Sequence, residues 1–370
     1  MIKVLALVQK RLGLAPGQRF RLEQWAPRLR TQHGISIDFA PFESPALTSI
    51  LYQRGRGLTK ARLLLRDTIR RREVLSWATN YDAVIIHRQV SLLGPAIYER
   101  LLARTGAPII FDFDDAVWLT GPGSANGMFS RLSFQRKTAT ICRLASAVVV
   151  GNRFLAEYAR RYSKHVYVVP TTVDLDTSPL QPPISSDGPF RIVWAGSHSA
   201  LQHLEVARRP LERFAQMQQT VLRVICSNPP SHPFEGLELE FVPWSAEGEA
   251  LRLARSHVGI MPLPDNEFSR GKCGLKALQY MAVGRPVVVS PVGVNADIVQ
   301  HGENGLLAST DEQWVQALQA LAASPALRQR LGLAGRSTVE EHFSAKVGAA
   351  AFAAVVNHVL ERSGRRDRVG

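Results

Sequence analysis

Short apolar runs alternate with amphipathic helical patterns along the whole chain. Helical patterns such as Arg19–Arg30 and Pro95–Thr105 lie between most of the apolar runs of the first half. Those runs predict strands at Lys3–Val8, Ser36–Phe39, Ala83–His87, Pro108–Asp112, Ala147–Val150 and Val166–Val169. Strands that alternate with helices are typical of a parallel sheet with crossover helices.

A segment with four prolines and little periodicity, Thr171–Phe190, interrupts this pattern and is predicted to be a linker. The pattern then resumes and ends in long Ala- and Leu-rich helices between Asp311 and about Arg362. The strands predicted after the linker are Arg191–Ala195, Val221–Cys226, Leu239–Val242, Val258–Met261, Pro286–Ser290 and Gly305–Ala308.

The fold class predicted is therefore α/β, with two Rossmann-like doubly wound domains that face each other across a cleft. Ligands of such sheets bind outside the carboxyl ends of the strands. We expect the first domain at residues 1–172, the linker at 173–189 and the second domain at 190–345. A helix at about 346–362 is expected to pack back on the first domain.

Composition excludes several classes of protein. The chain has 370 residues and is 45% hydrophobic, which argues against disorder. No apolar run approaches the ~20 residues that span a bilayer, and the start has no signal-peptide pattern. Three cysteines, far apart, predict neither a disulfide framework nor a zinc site. The sequence thus favours the cytoplasm.

The formal net charge of +14 indicates nucleic acid, anionic lipid or a phosphate-bearing substrate. Eight Lys or Arg residues and a single acid, Asp67, lie in Arg54–Arg72, interleaved with leucines. This segment is typical of a helix on a membrane surface or of a solvated helix face. It has too few aromatic residues for a nucleic-acid surface. A second basic cluster contains Arg362, Arg365, Arg366 and Arg368.

Two segments of the second half could bind a diphosphate. In RIVWAGSHSALQHL, Gly196 lets the backbone approach a ligand, and Ser199 with Gln202 matches a capping box at a helix start that follows Ser197. In SRGKCGLKALQYMAVGRP, a helix from about Cys273 would bring Lys272, Lys276 and Gln279 close to one face. The alternatives are an ordinary strand-to-helix turn and a basic helix that faces solvent.

Two turns add weaker signals. Gly293, Val294 and Asn295 follow a predicted strand and offer backbone amides to an anion. Glu303 and Asn304 could bind sugar hydroxyls, but an ordinary turn is favoured for this pair.

The run FDFDDAVW places Asp112, Asp114 and Asp115 at the end of a predicted strand. Three carboxylates so close together repel one another unless they share a positive group. One interpretation is a divalent metal on Asp112 and Asp114. Another is a general base or a set of acceptors for polyol hydroxyls. A third is structural, with one Asp capping a helix and another paired with Arg88.

The run GKCGLKALQYMAVGRPVVVSPVGVN, followed by HGENGLL, resembles the donor-binding region of GT-B glycosyltransferases of family 4. The blocks HRQVSLLGPAIYERLL and GAPIIFDFDDAVW resemble the first domain of a bacterial subgroup of that family. The resemblance implies transfer of a sugar from a nucleotide-sugar, usually with retention and without a bound metal. It also implies donor contacts from the second domain and acceptor contacts from the first.

The sequence departs from the family pattern at three places. The family glutamate that holds the ribose falls on Gln279, and the other motif glutamate falls on Gly271. The sugar-contacting role of the latter would therefore be missing, or would move to Asp265, Glu267 or the backbone near Gly293. The family's early basic pair is absent from WAGSHSALQHL, and Lys272 and Lys276 are the natural substitutes. A non-catalytic relative that binds nucleotide or sugar is therefore the alternative, ahead of a basic nucleic-acid-binding protein.

The expectation that results is a retaining hexosyltransferase of bacterial envelope polysaccharide synthesis. It would use a nucleotide-sugar as co-substrate, with no cofactor, metal or nucleic acid, and a glycan or lipid-linked acceptor. It would work in the cytoplasm, with peripheral contact to an anionic membrane. Lys272, Lys276, Asp114 and Asp115 are the candidate catalytic residues. The candidate donor residues are Gly196, Ser197, Ser199, Lys272, Lys276, Gln279, Gly293, Val294 and Asn295. The candidate acceptor-side residues are Gly17, Arg19, Arg88, Asp112, Asp114 and Asp115.

Overall fold

The computed structural model describes residues 1–51, 53, 55–92, 94–119 and 136–365. The chain divides into two compact units, and each is described by itself. Unit 1 comprises Met1–Thr171 together with Gly348–Gly370, and unit 2 comprises Thr172–Val347. Arg54, Arg366 and Arg368 of the two basic clusters lie outside the described residues.

Unit 1 contains a six-stranded parallel sheet with the order β2-β1-β3-β4-β5-β6. Its central strands are almost wholly apolar and buried, because helices cover both faces of such a sheet. The strands are β1 (Ile2–Val8), β2 (Ile35–Pro41), β3 (Ala83–His87), β4 (Ile109–Phe113), β5 (Ala147–Val150) and β6 (Val166–Val168).

The first predicted helix of unit 1, Arg19–Arg30, is divided. A short helix Pro16–Gln18 leads into a π-helical turn Arg19–Glu23, and a new helix begins at Ala26. Pro27 is the physical reason, because it has no N–H to continue the hydrogen-bond ladder and is tolerated only in a first turn. The other α-helices of unit 1 are Pro45–Ile50, Gly57–Ser76, Ile97–Arg104, Arg136–Leu144, Arg153–Arg160 and most of Ala345–Arg362.

Unit 2 contains a second six-stranded parallel sheet with the order β12-β11-β10-β7-β8-β9. Trp194, Phe214 and Trp314 are among the largest side chains of its core, which packs between the sheet and its helices. The strands are β7 (Phe190–Ala195), β8 (Thr220–Cys226), β9 (Glu238–Pro243), β10 (Val258–Met261), β11 (Val287–Val289) and β12 (Leu306–Leu307). The α-helices are Leu201–Leu204, Arg208–Ala215, Glu249–Ala254, Glu267–Arg270, Leu275–Ala282, Asn295–Ile298, Asp311–Ala323, Pro325–His342 and the start of Ala345–Arg362.

The prediction of two Rossmann-like α/β domains is confirmed, since each of the twelve predicted strands overlaps an observed strand. The largest difference is at β2, which is three residues longer than predicted, whereas β11 and β12 are each two residues shorter. No helix in the described part of the chain is both long and apolar enough to cross a membrane.

Candidate functional site

A buried ion-pair network lies at the carboxyl edge of the sheet of unit 1. Asp112 and His87 face each other in the register of β3 and β4, and His87 Nδ1 lies 2.8 Å from Asp112 Oδ2. Arg21, from the π-helical turn, donates through Nη2 to Asp112 Oδ1 at 2.6 Å and through Nε to both oxygens at 3.1 Å. All three side chains are almost fully buried, so Asp112 organises the site rather than contacting a substrate.

The electrostatics of Asp112 follow from these contacts. Burial alone would raise the pKa of Asp112, but the Arg21 guanidinium and the His87 ring hold the pKa below its usual range. The sequence analysis missed Arg21 and His87. His87 could have been found, because it ends a strand next to the one that carries Asp112. Arg21 could not, because its contact depends on the π-helical turn.

A second ion pair, between Arg88 and Asp114, lies in the loops that follow β3 and β4. The Nε and Nη2 atoms of Arg88 lie 2.8 Å and 2.7 Å from Asp114 Oδ1, and Arg88 has a left-handed φ of 64°. Burial would raise the pKa of Asp114, but Arg88, His87 and Arg21 together hold the pKa well below its usual range. Asp114 therefore stays ionised, which favours a role as a hydroxyl acceptor over one as a general base.

Gly17 lies directly against this ion pair. A Cβ atom on Gly17 would lie 2.2 Å from Asp114 Oδ2 and 2.8 Å from Arg88 Nη2, so only glycine fits. Asp115 is half-buried and accepts a hydrogen bond from the Ala116 N–H at 3.1 Å. The Arg19 guanidinium lies over the Phe20 ring, 4.4 Å from its centroid.

The structure thus brings Gly17, Arg88 and Asp114 together, with the Arg21–Asp112–His87 network on the same two strand ends. The structural interpretation of FDFDDAVW predicted that one of its aspartates pairs with Arg88, and Asp114 forms that pair. No group of three or more His, Cys, Asp and Glu side chains among the described residues is arranged to hold a metal.

In unit 2, Lys276 lies across the carboxyl end of β7. A Cβ atom on Gly196 would lie 2.8 Å from Lys276 Cε and 2.6 Å from Trp194 Cη2, so glycine makes room for the lysine. The Lys276 Nζ atom is 5.5 Å from the centroid of the Trp194 ring. Lys272 precedes the helix on a loop, with Nζ 4.1 Å from the centroid of the Phe268 ring.

A buried histidine, His203, lies close enough to both lysines for their charges to lower its pKa. Its side chain is 4% exposed, and its Nδ1 atom has no hydrogen-bond partner among the described residues. Burial, and then the charges of Lys276 and Lys272, lower the pKa of His203 to about 4. His203 is therefore neutral near pH 7, beside two cations. The sequence analysis missed it, although it lies seven residues after Gly196.

The helix that follows β7 starts differently from the prediction. Ser197 precedes a short 3₁₀ turn, His198–Ala200, which leads into Leu201–Leu204, so the capping box predicted for Ser199 and Gln202 is wrong. Ser199 lies inside the turn, where its carbonyl accepts from Gln202 Nε2 at 3.0 Å and its hydroxyl is 3.1 Å from that of Ser197.

The lysine-bearing helix begins later than predicted, at Leu275 after Gly274, which has a φ of 70°. A Cβ atom on Gly274 would lie 2.3 Å from Ile298 Cδ1 and 3.3 Å from Val294 Cγ1. Gly293 lies close to the backbone of Arg270, and a Cβ atom on Gly293 would be 2.8 Å from the Arg270 carbonyl oxygen. Asn295 is fully buried and donates to the Ser290 carbonyl at 3.1 Å. The segment Gly293–Asn295 therefore packs on the loop that carries Lys272.

Two neighbours in that helix differ in role. Gln279 is 8% exposed, and its side-chain amide makes no hydrogen bond to another described residue. The exposed edge of this amide is therefore available to a ligand. The Tyr280 hydroxyl accepts from the Ala195 N–H at 2.8 Å and ties the helix to the end of β7. Burial raises the pKa of Tyr280. The sequence analysis missed Tyr280, which lies against Gly259 of β10.

Three further candidates belong to local structure. Asp265 is exposed and pairs with Arg270 at 2.7 Å, and Glu267 begins the short helix Glu267–Arg270. Asn304 donates to the Ile298 carbonyl and the Thr338 hydroxyl, both at 3.0 Å, and accepts from the Gln300 N–H. Asn304 therefore holds a turn, as favoured from the sequence.

Comparison with known proteins adds the family context. Residues 189–324 match a family model described as glycosyl transferases group 1. No curated protein sequence matches the chain. Among solved structures, the sucrose-phosphate synthase of Thermosynechococcus elongatus is similar with a TM-score of 0.68, 18% identity, and coverage of 98% of this chain and 100% of that one.

Two further solved structures share the fold. The Anabaena protein HepE in complex with UDP-glucose has a TM-score of 0.65 and 15% identity, covering 97% of this chain and 100% of that chain. A glycosyltransferase from Rickettsia africae has a TM-score of 0.65 and 14% identity, covering 97% of this chain and 98% of its own. The chain thus has the fold of GT-B glycosyltransferases, and most of its unit 2 matches the group 1 glycosyltransferase model.

Proposed function

We propose that the protein is a glycosyltransferase that moves a sugar from a nucleotide-sugar donor to a glycan or lipid-linked acceptor. The observation that carries this proposal is the position of Lys276, whose side chain crosses Gly196 at the carboxyl end of β7. That edge of an α/β sheet is where ligands bind, and unit 2 is the part that matches a glycosyltransferase family.

Lys276 and Lys272 are proposed to neutralise the diphosphate that leaves with the nucleotide. Both charges lower the pKa of the buried His203 ring, which supports a shared role of the two lysines in one region of unit 2. Fixed cations aimed at developing negative charge are a large source of rate enhancement in a dry site. Ser197, Ser199 and the loop Gly293–Asn295 would line the same donor site, with Gln279 accepting from a ribose hydroxyl.

Asp114 and Asp115 are proposed to orient the acceptor hydroxyl. Asp114 is ionised and held by Arg88, and Gly17 lets the chain approach this pair closely. Asp112 acts as a positioning residue through Arg21 and His87. Arg19, on the same segment as Gly17 and Arg21, would extend the acceptor side.

The finer parts of the proposal rest on the sequence resemblance. They are hexosyl transfer with retention, no metal or cofactor beyond the nucleotide-sugar, and a role in bacterial envelope polysaccharide synthesis in the cytoplasm. A role at the inner face of the membrane is supported by the helix Gly57–Ser76. Leu58, Leu65 and Ile69 of this helix are 91%, 62% and 57% exposed, and arginines flank them.

The test is turnover of nucleotide-sugars by the purified protein and by Lys276→Ala. We expect Lys276→Ala to lower turnover at least tenfold, which corresponds to about 1.4 kcal/mol of transition-state stabilisation. Lys346→Ala is the matched control. Lys346 also lies in unit 2 and is also the second residue of a helix, but it is exposed. Equal rates for the two variants would contradict the assignment.

A non-catalytic sugar- or nucleotide-binding protein is the second candidate, and the position of Gly271 favours it, since the glutamate of the family motif is replaced by a residue with no side chain. The same experiment separates the two functions. A nucleoside diphosphate that raises the melting temperature of the wild-type protein without any turnover of nucleotide-sugars would support the second.

A further inference from the structure

A cavity of about 300 Å³ lies in unit 2, at the sheet edge opposite to Gly196 and Lys276. Ser256 and His257 line it just before β10, and Arg285 lines it just before β11. The strands are parallel, so these residues mark the amino ends of the sheet. The apolar wall comes from Leu180, Pro182, Ile184 and Leu333. This volume is at the lower end of those that hold small ligands.

Two arginines in the cavity wall are buried without a carboxylate. Arg285 and Arg328 are 4% and 8% exposed, and neither forms a salt bridge with another described residue. Burial lowers the pKa of Arg285 to about 10, and burial also lowers the pKa of Arg328. An isolated buried charge is costly unless a partner of opposite charge is supplied.

The contacts of the two guanidinium groups leave donors unused. Arg285 donates to the carbonyls of Ala254 and Pro182, and Arg328 donates to those of Leu321 and Ala322 and to the Ser186 hydroxyl. These hydrogen bonds employ five of the ten N–H donors that two guanidinium groups carry. The carbonyls lie at helix ends and on the linker, so the arginines are fixed in place.

None of the described residues that line the cavity is acidic. His257 is held neutral, because its Nδ1 accepts from the Arg191 N–H and its Nε2 donates to the Ser185 carbonyl, both at 2.9 Å. Ser256 is fully buried, and its hydroxyl has no hydrogen-bond partner among the described residues. Two fixed cations and one unused hydroxyl therefore line a cavity with apolar walls.

We propose that this cavity binds the phosphate group of a small phosphomonoester, with Arg285, Arg328 and Ser256 as its ligands. A dianion matches the two uncompensated charges, and planar guanidinium groups suit phosphate oxygens. The apolar wall would hold the organic part. The ligand would fasten the linker residues Leu180–Ile184 to the body of unit 2. This site is separate from the donor site and does not depend on the proposed function.

The test is a titration of inorganic phosphate against the full-length protein, with the melting temperature as the readout and sodium chloride at matched ionic strength as the reference. A ligand that binds only the native state raises the melting temperature saturably. The titration is done in a background that carries both Lys272→Ala and Lys276→Ala, so that phosphate binding to the two lysines of the proposed donor site does not contribute. We expect a saturable rise there, at least a tenfold weaker apparent affinity in Arg328→Gln, and a smaller weakening in Ser256→Ala.

Two variants keep the test decisive. Arg330→Gln removes an exposed positive charge two residues away on the same helix, and it should leave the apparent affinity unchanged. Ser256→Ala removes a hydroxyl that supports nothing in the fold, so it remains informative if Arg328→Gln unfolds. No saturable rise, or the same affinity in Ser256→Ala as in its parent, overturns the proposal.

Discussion

Single residues in unit 1 are fixed by contacts that leave no room for another side chain. Gly17 is the clearest example, because its Cα faces the Asp114 carboxylate and the Arg88 guanidinium at distances that exclude a methyl group. The short helix that carries Gly17 and the loop that carries Asp114 are therefore positioned by each other, and the carboxylate gains its fixed orientation from that packing.

Gly17→Ala is expected to lower the free energy of unfolding by about 1–3 kcal/mol, because the new methyl group forces the ion pair apart. Urea unfolding measures this change. Gly57→Ala is the control, since Gly57 has no atom within 4 Å of an added Cβ and an ordinary negative φ. If both variants unfold at the same urea concentration, a methyl group at Gly17 does not disturb the Arg88–Asp114 ion pair, and the prediction is wrong.

At the scale of elements, one long helix of unit 1 has two faces with different roles. In the helix Gly57–Ser76, Arg71 donates to the Ala40 and Val8 carbonyls and anchors the helix to the sheet. Asp67 accepts from the Ser44 N–H at 2.8 Å and anchors it to the start of the helix Pro45–Ile50. Leu58, Leu65 and Ile69 recur at helical spacing on another face and are exposed. An exposed apolar stripe with basic flanks is typical of a helix that lies on an anionic membrane.

Leu65→Ser is expected to weaken binding to vesicles that contain anionic lipid by roughly tenfold, because it removes about 1–2 kcal/mol of apolar transfer free energy. Cosedimentation with vesicles measures it. Leu251→Ser, at an exposed leucine of unit 2, serves as the control. Equal binding of wild type to neutral and anionic vesicles, or none to either, would refute membrane contact.

At the scale of the whole molecule, the net charge of +14 is divided among different roles. Four arginines are buried and hold backbone or carboxylate groups, namely Arg21, Arg71, Arg285 and Arg328, whereas the charges of Lys272 and Lys276 act on the buried ring of His203. Acid stability is also a property at this scale, because buried carboxylates must stay ionised for the fold to persist.

Asp112 is expected to contribute to acid stability. Its pKa is lower in the folded than in the unfolded chain, where it is about 3.9, so its contribution is complete above that value and is lost as the pH falls through the folded pKa. Asp112→Asn should reduce stability at neutral pH and flatten the fall in urea midpoint on acidification. Glu73→Gln, which removes an exposed carboxylate of unit 1, should leave the shape of that curve unchanged. An unaltered acid limb in Asp112→Asn would contradict the assignment.

The sequence by itself determined the twelve strands, the two α/β units and the segments that carry the candidate site, because apolar periodicity and turn residues act locally. It also predicted Lys276 and the FDFDD run as parts of a site, and this stays a prediction. Only the tertiary structure decided which charges meet. Arg21 reaches Asp112 across 91 positions, His203 lies within the field of two lysines, and Asp112 is a buried anchor rather than an exposed acceptor. Such contacts arise where strand ends and loops from distant parts of the chain converge, and no local pattern encodes that convergence.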